Sequence, residues 1–137
     1  MLANTHLSAF SNGDGTLPRQ MGILRDWLGE GGPRLVGGDL NALPPGDEAA
    51  RLGRYAVEYA DPSPPLQMMM GFQSAIPWDQ LLLPEHRSYL PPESEVPDRV
   101  LDYLLCTSEV EVVSAEVLKV PAWISDHWPV RAELRLR

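Results

Sequence analysis

Proline is concentrated in the central part of this chain, and that distribution limits where regular structure can form. Ten of the fourteen prolines fall between residues 42 and 98. Because proline has no backbone N–H and fixes its own φ, it breaks helices and is excluded from central strands. The sequence therefore predicts a long, loop-rich insertion over 42–98, with the main regular elements in the two flanking parts.

The part before the insertion has the pattern of a strand, a helix and a second strand. Residues 2–7 alternate weakly and lead into a breaker cluster at 12–15. Apolar residues then recur at helical spacing over 17–28, with Thr16 as the predicted cap. A short buried strand is predicted over 34–36, ended by the glycine pair that follows it.

The part after the insertion has the pattern of three strands. Residues 100–106 are nearly continuously apolar, as in a buried strand, whereas 110–117 and 130–136 alternate as half-exposed strands do. Strands that alternate with a helix early and pair with one another late predict a mixed sheet with flanking helices, in an α/β or α+β domain over 1–137. Within the insertion, helical turns are predicted over 46–52 and 76–83, and a short strand over 86–90.

Charge and composition exclude several classes of protein. The chain has 11 Lys and Arg against 19 Asp and Glu, which gives a net charge of −8. This charge argues against extended electrostatic binding of a nucleic-acid phosphate backbone by this chain alone. It has no apolar run of the roughly 18–20 residues that cross a bilayer, and its start lacks the order of a signal peptide. A single cysteine excludes an internal disulfide and a cysteine-zinc site. We expect a cytoplasmic protein.

Polar residues that can do chemistry gather at the ends of the predicted strands. In an α/β fold, the ends of central strands direct side chains into a common crevice. The four clusters are Asn4-Thr5-His6-Leu7, Gly38-Asp39-Leu40-Asn41, Asp102-Tyr103 and Ser125-Asp126-His127.

The clusters that contain Asp39 and Asp102 each have a structural interpretation beside the functional one. Asp39 and Asn41 point to the same side of an extended segment and can hold a metal or a water, but this spacing is also typical of a turn. Asp102 interrupts an apolar strand and needs a partner, for which Arg99, His127 or a cation is available.

The fourth cluster, Ser125-Asp126-His127, superficially suggests a Ser-His-Asp triad. Adjacent residues of an extended chain diverge to opposite faces, however, and no G-x-S-x-G motif is present. Asp126 and His127 can instead serve two neighbouring subsites, one for a metal and one for a phosphoryl oxygen or a carboxylate.

In order and content, these clusters resemble the endonuclease/exonuclease/phosphatase superfamily, the deoxyribonuclease I-like fold. The resemblance depends on NTHL at 4–7, GDLN at 38–41, RVLDYLL at 99–105 and SDH at 125–127, and matches 42–98 only loosely. It implies one half, the C-terminal one, of a four-layer α/β sandwich. It also implies a divalent-metal-dependent phosphoesterase that hydrolyses a phosphodiester or phosphomonoester by metal-assisted attack of water. We expect this chain alone to be weak or inactive, because it corresponds to one half of the domain.

The resemblance also implies roles for individual residues. Asp39 orients or deprotonates the attacking water, Asn41 positions the nucleophile and the phosphate, and Asp126 supports the metal together with these two. His127, paired with Asp102, contacts the scissile phosphate.

His6 matches a second catalytic histidine, a general acid or a phosphate ligand. The abasic-site endonuclease branch usually has tyrosine there, so His6 favours nuclease, sphingomyelinase or small-phosphoester relatives. The substrates expected are therefore a nucleic acid, a phospholipid headgroup or a small phosphoester.

The family's domain is about twice this long, and its first half supplies an Asn and a metal-binding Glu that this sequence lacks. We therefore expect weak binding of Mg²⁺ or Mn²⁺. Truncation is the explanation we favour. A half-domain that pairs with itself or with a second chain, and a non-catalytic interaction domain on the same scaffold, are the alternatives.

A single sheet with apolar central strands has two faces to cover, and the predicted helix covers one. We therefore expect self-association or poor packing unless 42–98 folds back as a cover.

Overall fold

The computed structural model describes residues 1–9, 14–59 and 65–137. In order, its regular elements are β1 (Leu2–His6), α1 (Thr16–Gly29), β2 (Leu35–Asp39), β3 (Gln73–Ser74), β4 (Asp102–Cys106), β5 (Val110–Val117) and β6 (Val130–Leu136), with 3₁₀ helices at Ala49–Glu58, Pro65–Met69 and Pro84–His86. Part of the breaker cluster at 12–15 and part of the 42–98 insertion lie outside the described residues.

The strands form a mixed four-stranded sheet in the order β1-β2-β4-β3 and a two-stranded sheet of β5 and β6. β1 pairs with β2 in parallel, and β4 pairs with β2 and β3 antiparallel. The predicted mixed α/β fold is confirmed. No helix in the described part of the chain is both long and apolar enough to span a membrane.

Helix α1 packs one face of the four-stranded sheet because its apolar residues recur every three or four positions. Leu17, Met21 and Leu28 are buried. The predicted cap at Thr16 is wrong. Gly15 occupies the N-cap in a left-handed conformation, and the side chain of Asp14 accepts a hydrogen bond from the Thr16 N–H at 2.7 Å.

Strand β2 does not end at the glycine pair, as predicted, but continues through it to Asp39. A Cβ built on Gly37 would lie 2.6 Å from Leu104 Cδ2, and one on Gly38 would lie 1.8 Å from the Thr5 carbonyl oxygen. Gly38 is therefore required by the close approach of β1, whereas Gly37 leaves room for the Leu104 side chain, and β2 continues through both glycines to Asp39.

The insertion contributes to the core although it contains little regular structure. Leu66, Met69, Ile76 and Leu81 belong to the same buried cluster as Met21 and other core residues. Partly buried residues of β5 and β6 pack against this cluster as well. Segment 42–98 thus supplies apolar cover, as the sequence allowed. The helical turn predicted over 76–83 is present as successive hydrogen-bonded turns between Pro77 and Leu83.

Candidate active site

Three of the predicted site residues lie side by side at one end of the sheet. The register pairs His6 of β1 with Asp39 of β2, and Asp39 in turn with Asp102 of β4. The parallel pair β1–β2 runs its carboxyl ends to this edge, where the antiparallel β4 begins. The strand order alone therefore brings together residues separated by up to 96 positions (102 − 6).

Asp39 lies at the centre of this row, and its two oxygens have different contacts. Oδ1 accepts a hydrogen bond from the Asn41 backbone N–H at 2.8 Å, which closes an Asx turn. Oδ2 lies 3.5 Å from His6 Nε2 and 3.8 Å from His127 Nε2. The turn and the functional role considered for Asp39 are thus compatible, because the turn uses Oδ1 and leaves Oδ2 facing the two imidazoles.

Asn41 follows in a left-handed conformation, with φ of 47°. This is an uncommon backbone conformation for a residue other than glycine. Its side-chain amide donates a hydrogen bond to the Leu7 carbonyl at 2.9 Å. The amide N–H therefore holds the end of β1 against the turn after β2, which keeps His6 beside Asp39.

Asp102 finds its partner in His127, one of the three possibilities that the sequence left open. His127 Nδ1 lies 2.8 Å from Asp102 Oδ2. Arg99 instead forms its ion pair with Asp98, at 2.6 Å. The Asp102 carboxylate thus fixes the imidazole through Nδ1 and directs Nε2 toward Asp39.

His127 reaches this position because the segment that carries it pairs with Tyr89 and its neighbours. Tyr89 forms isolated β-bridges with both Arg99 and His127, and the Leu90 N–H donates to the Asp126 carbonyl at 2.7 Å. Ser125 Oγ accepts a hydrogen bond from the His127 N–H at 3.0 Å. This serine closes a local turn, which agrees with the sequence argument against a Ser-His-Asp triad.

The pKa values of Asp39 and His127 are both raised, each for a different main reason. Burial raises the pKa of the Asp39 carboxyl, and the hydrogen bond from the Asn41 N–H offsets part of that rise. The hydrogen bond to Asp102 raises the pKa of His127, against the opposing effect of burial. The site therefore favours a protonated imidazole next to a carboxylate that binds protons more readily than usual.

A metal ion fits the described residues poorly. Of the residues that the resemblance names as ligands, Asp39 uses one oxygen in its turn, Asn41 donates its amide N–H to Leu7 and keeps its side-chain oxygen, and Asp126 is exposed, so the set offers few oxygens to a cation. Among residues 1–9, 14–59 and 65–137, no group of three or more His, Cys, Asp or Glu is arranged to hold a metal.

An arginine enclosed by aromatic rings lies behind the site and was not predicted from the sequence. Arg99 is 1% exposed, and its guanidinium lies 4.8 to 5.3 Å from the ring centroids of Tyr55, Tyr59 and Tyr89. Tyr89 in turn meets the His127 ring edge-on at 5.0 Å. Ser88, which contacts Asp102, was missed as well, since a lone serine in a loop carries no pattern.

Comparison with known proteins decides the family. The model of the endonuclease/exonuclease/phosphatase family matches residues 9–127, which is most of the chain. This chain belongs to the endonuclease/exonuclease/phosphatase family. The resemblance to that superfamily is confirmed, and the motifs at 38–41, 99–105 and 125–127 lie within the matched residues.

Solved structures of this family share the fold. An endonuclease/exonuclease/phosphatase from Beutenbergia cavernae is 26% identical, with a TM-score of 0.63, over 96% of this chain and 34% of that one. A mannosyl-6-phosphatase from Bacteroides thetaiotaomicron is 15% identical, with a TM-score of 0.61, over 97% and 50%. D. rerio TDP2, complexed with a single-strand DNA product, is 17% identical, with a TM-score of 0.58, over 96% and 54%.

This chain spans about half the length of these structures, or less. No curated protein sequence matches it. The comparisons therefore establish a phosphoesterase-type fold of a hydrolase family, and the activity of this chain is a matter for proposal.

Proposed function

We propose that this chain carries part of a phosphoester-hydrolysing site, in which Asp39 acts on the attacking water and His127 contacts the phosphoryl group. The observation that supports this most is the position of Asp39 Oδ2, which faces two imidazole nitrogens while His127 is held from behind by Asp102. A carboxylate flanked by two imidazoles provides one proton acceptor and two proton donors, all close enough to contact the same substrate.

In the proposed reaction, water attacks phosphorus, a new P–O bond forms, and the bond to the leaving oxygen breaks. Asp39 Oδ2 accepts the proton that the water gives up. His127 Nε2–H donates a hydrogen bond to a phosphoryl oxygen and stabilises its developing negative charge. Asp102 keeps the imidazole in the orientation and protonation state that this requires.

His6 is the proposed source of the proton for the leaving oxygen. Its side chain is 73% exposed, whereas that of Asp39 is 12% exposed. An exposed imidazole at the mouth of the site can approach a leaving group that extends into solvent. The alternative role of His6, as a phosphate ligand, needs the same placement.

We propose that this chain by itself binds Mg²⁺ or Mn²⁺ weakly, because its three oxygen-bearing candidate ligands do not form a complete set. Mg²⁺ gives up its water reluctantly and needs near-octahedral oxygen ligands. Calorimetric titration of Mg²⁺ into the protein is expected to show no saturable binding in the micromolar range. Micromolar affinity would contradict this expectation and would indicate a ligand outside Asp39, Asn41 and Asp126.

The substrate class proposed is a phosphoester of a nucleic acid, a phospholipid headgroup or a small molecule. The net charge of −8 disfavours a long electrostatic contact with nucleic acid by this chain alone. Completion of the site by a longer domain, or by a second copy of the chain, remains part of this proposal. Equilibrium sedimentation is the direct measurement of self-association.

The test is hydrolysis of bis(p-nitrophenyl) phosphate and of p-nitrophenyl phosphate in the presence of Mg²⁺. An Asp39→Asn variant is expected to lose about 10²-fold or more in kcat, because the amide cannot accept the proton. The amide oxygen retains an acceptor for the Asn41 N–H, so the turn after β2 is preserved. Asp26→Asn, which removes an exposed carboxylate on α1, is the matched control.

Two results would contradict the proposed function. The first is equal turnover by wild type and Asp39→Asn, which would place the chemistry elsewhere. The second is absence of turnover when the folded chain is supplied with the rest of the domain, which would favour a non-catalytic interaction domain on the same scaffold.

A further inference from the structure

Ser88 lies behind the candidate site, completely buried, with its hydroxyl directed at Asp102. Its Oγ donates a hydrogen bond to Asp102 Oδ2 at 2.7 Å. The same oxygen accepts hydrogen bonds from the backbone N–H groups of Leu101 and Asp102, each at 3.2 Å. Asp102 Oδ2 is also the atom that His127 Nδ1 contacts at 2.8 Å.

These contacts restrict the hydroxyl hydrogen of Ser88 to one orientation. A serine hydroxyl ordinarily rotates to suit its surroundings, since it has one donor and two acceptor sites. Here both acceptor sites face backbone N–H groups, so the hydrogen is directed to the carboxylate. The Asp102 side chain is thereby fixed in the rotamer that presents Oδ2 to the imidazole.

The backbone of Ser88 connects the two chain segments that carry the pair. Its N–H donates to the Arg99 carbonyl at 2.9 Å, just before β4. Its carbonyl accepts the Trp128 N–H at 2.7 Å, directly after His127. One residue therefore holds the position of both segments and the orientation of the Asp102 carboxylate.

We propose that Ser88 is a positioning residue, whose hydroxyl sets the geometry of the Asp102–His127 pair. Its effect on turnover rests on the proposed function, whereas its effect on the pair does not. A serine that only satisfied two buried N–H groups would affect stability and leave the hydrogen bond between Asp102 and His127 intact. That hydrogen bond is therefore the quantity to measure.

The experiment is proton NMR of the His127 Nδ1–H resonance, assigned by its loss in His127→Gln. A ring N–H hydrogen-bonded to a carboxylate is expected downfield and protected from exchange. In Ser88→Ala this resonance is expected to broaden or disappear, and in Ser88→Thr, which keeps the hydroxyl, it is expected to persist. Thr107→Val is the matched control, since it removes a buried hydroxyl that contacts Gly32 and not the site.

A resonance that is unchanged in Ser88→Ala, or lost equally in Thr107→Val, would overturn the proposal. If Ser88→Ala does not fold, Ser88→Cys decides the question, because the thiol is a weak donor of similar size. A resonance as sharp in the folded Ser88→Cys variant as in the wild type would then overturn the proposal.

Turnover gives a second and separable measurement. In Ser88→Ala, kcat is expected to fall about 10- to 100-fold with KM nearly unchanged, since a misplaced imidazole affects the transition state more than binding. If the wild-type chain has no turnover, the imidazole resonance still decides the role of Ser88.

Discussion

A His127→Gln variant is expected to lose between about 10²- and 10⁴-fold in kcat/KM for phosphodiester hydrolysis. Glutamine is close to histidine in size and polarity, but it cannot carry the positive charge that the contact with Asp102 favours. It also leaves Asp102, which is 19% exposed, without its partner at 2.8 Å. The measurement is steady-state kinetics on bis(p-nitrophenyl) phosphate, with folding checked by circular dichroism.

His86→Gln is the control for this variant. His86 ends the short 3₁₀ helix Pro84–His86 and forms no hydrogen bond through Nδ1 among the described residues. Its replacement is expected to leave kcat/KM within about twofold of wild type. Equal losses in the two variants would mean that His127 acts through general stability, and the proposed role would be wrong.

A Gly38→Ala variant is expected to be destabilised by at least about 3 kcal/mol, or to fail to fold. Gly38 has φ of 140°, a conformation that residues with a Cβ rarely adopt. An added Cβ would lie 1.8 Å from the Thr5 carbonyl oxygen of the neighbouring strand. The Thr5 oxygen is a backbone atom and the position of the added Cβ is fixed by the backbone of residue 38, so β1 and β2 would have to separate.

The comparison for Gly38 is Gly22→Ala, in the interior of α1. A Cβ at Gly22 meets nothing within 4 Å. This variant is expected to gain about 0.5–1 kcal/mol, because alanine is the better helix former. Urea denaturation measures both changes, and equal stabilities for the two variants would contradict the close approach of β1 and β2.

The sequence predicted those parts of the fold whose pattern is local. Helix α1 was identified from apolar spacing, and β5 and β6 from alternation, since each pattern is a direct consequence of which side faces the core. The end of β2 was placed too early. Glycine normally weakens or ends a strand. Here the strand continues through the glycines because neighbouring strands, which are distant in sequence, approach closely at that point.

The same distinction applies to the candidate site. Asp39, Asp102 and His127 could be proposed because carboxylates and imidazoles at strand ends are unusual within apolar segments. Ser88 and the aromatic enclosure of Arg99 could not, because serine, tyrosine and arginine are ordinary loop residues. Their importance arises from the pairing of three segments around Tyr89, which no local pattern encodes.

A double-mutant cycle between Asp39 and His127 tests the central claim most directly, since it asks whether the two residues act on one substrate at one site. The quantities are the kcat/KM values of wild type, Asp39→Asn, His127→Gln and the double variant. Residues that act as a unit are strongly non-additive, so the double variant is expected to be no more than about tenfold worse than the more impaired single variant. Losses that multiply in the double variant would contradict a shared centre for these two side chains.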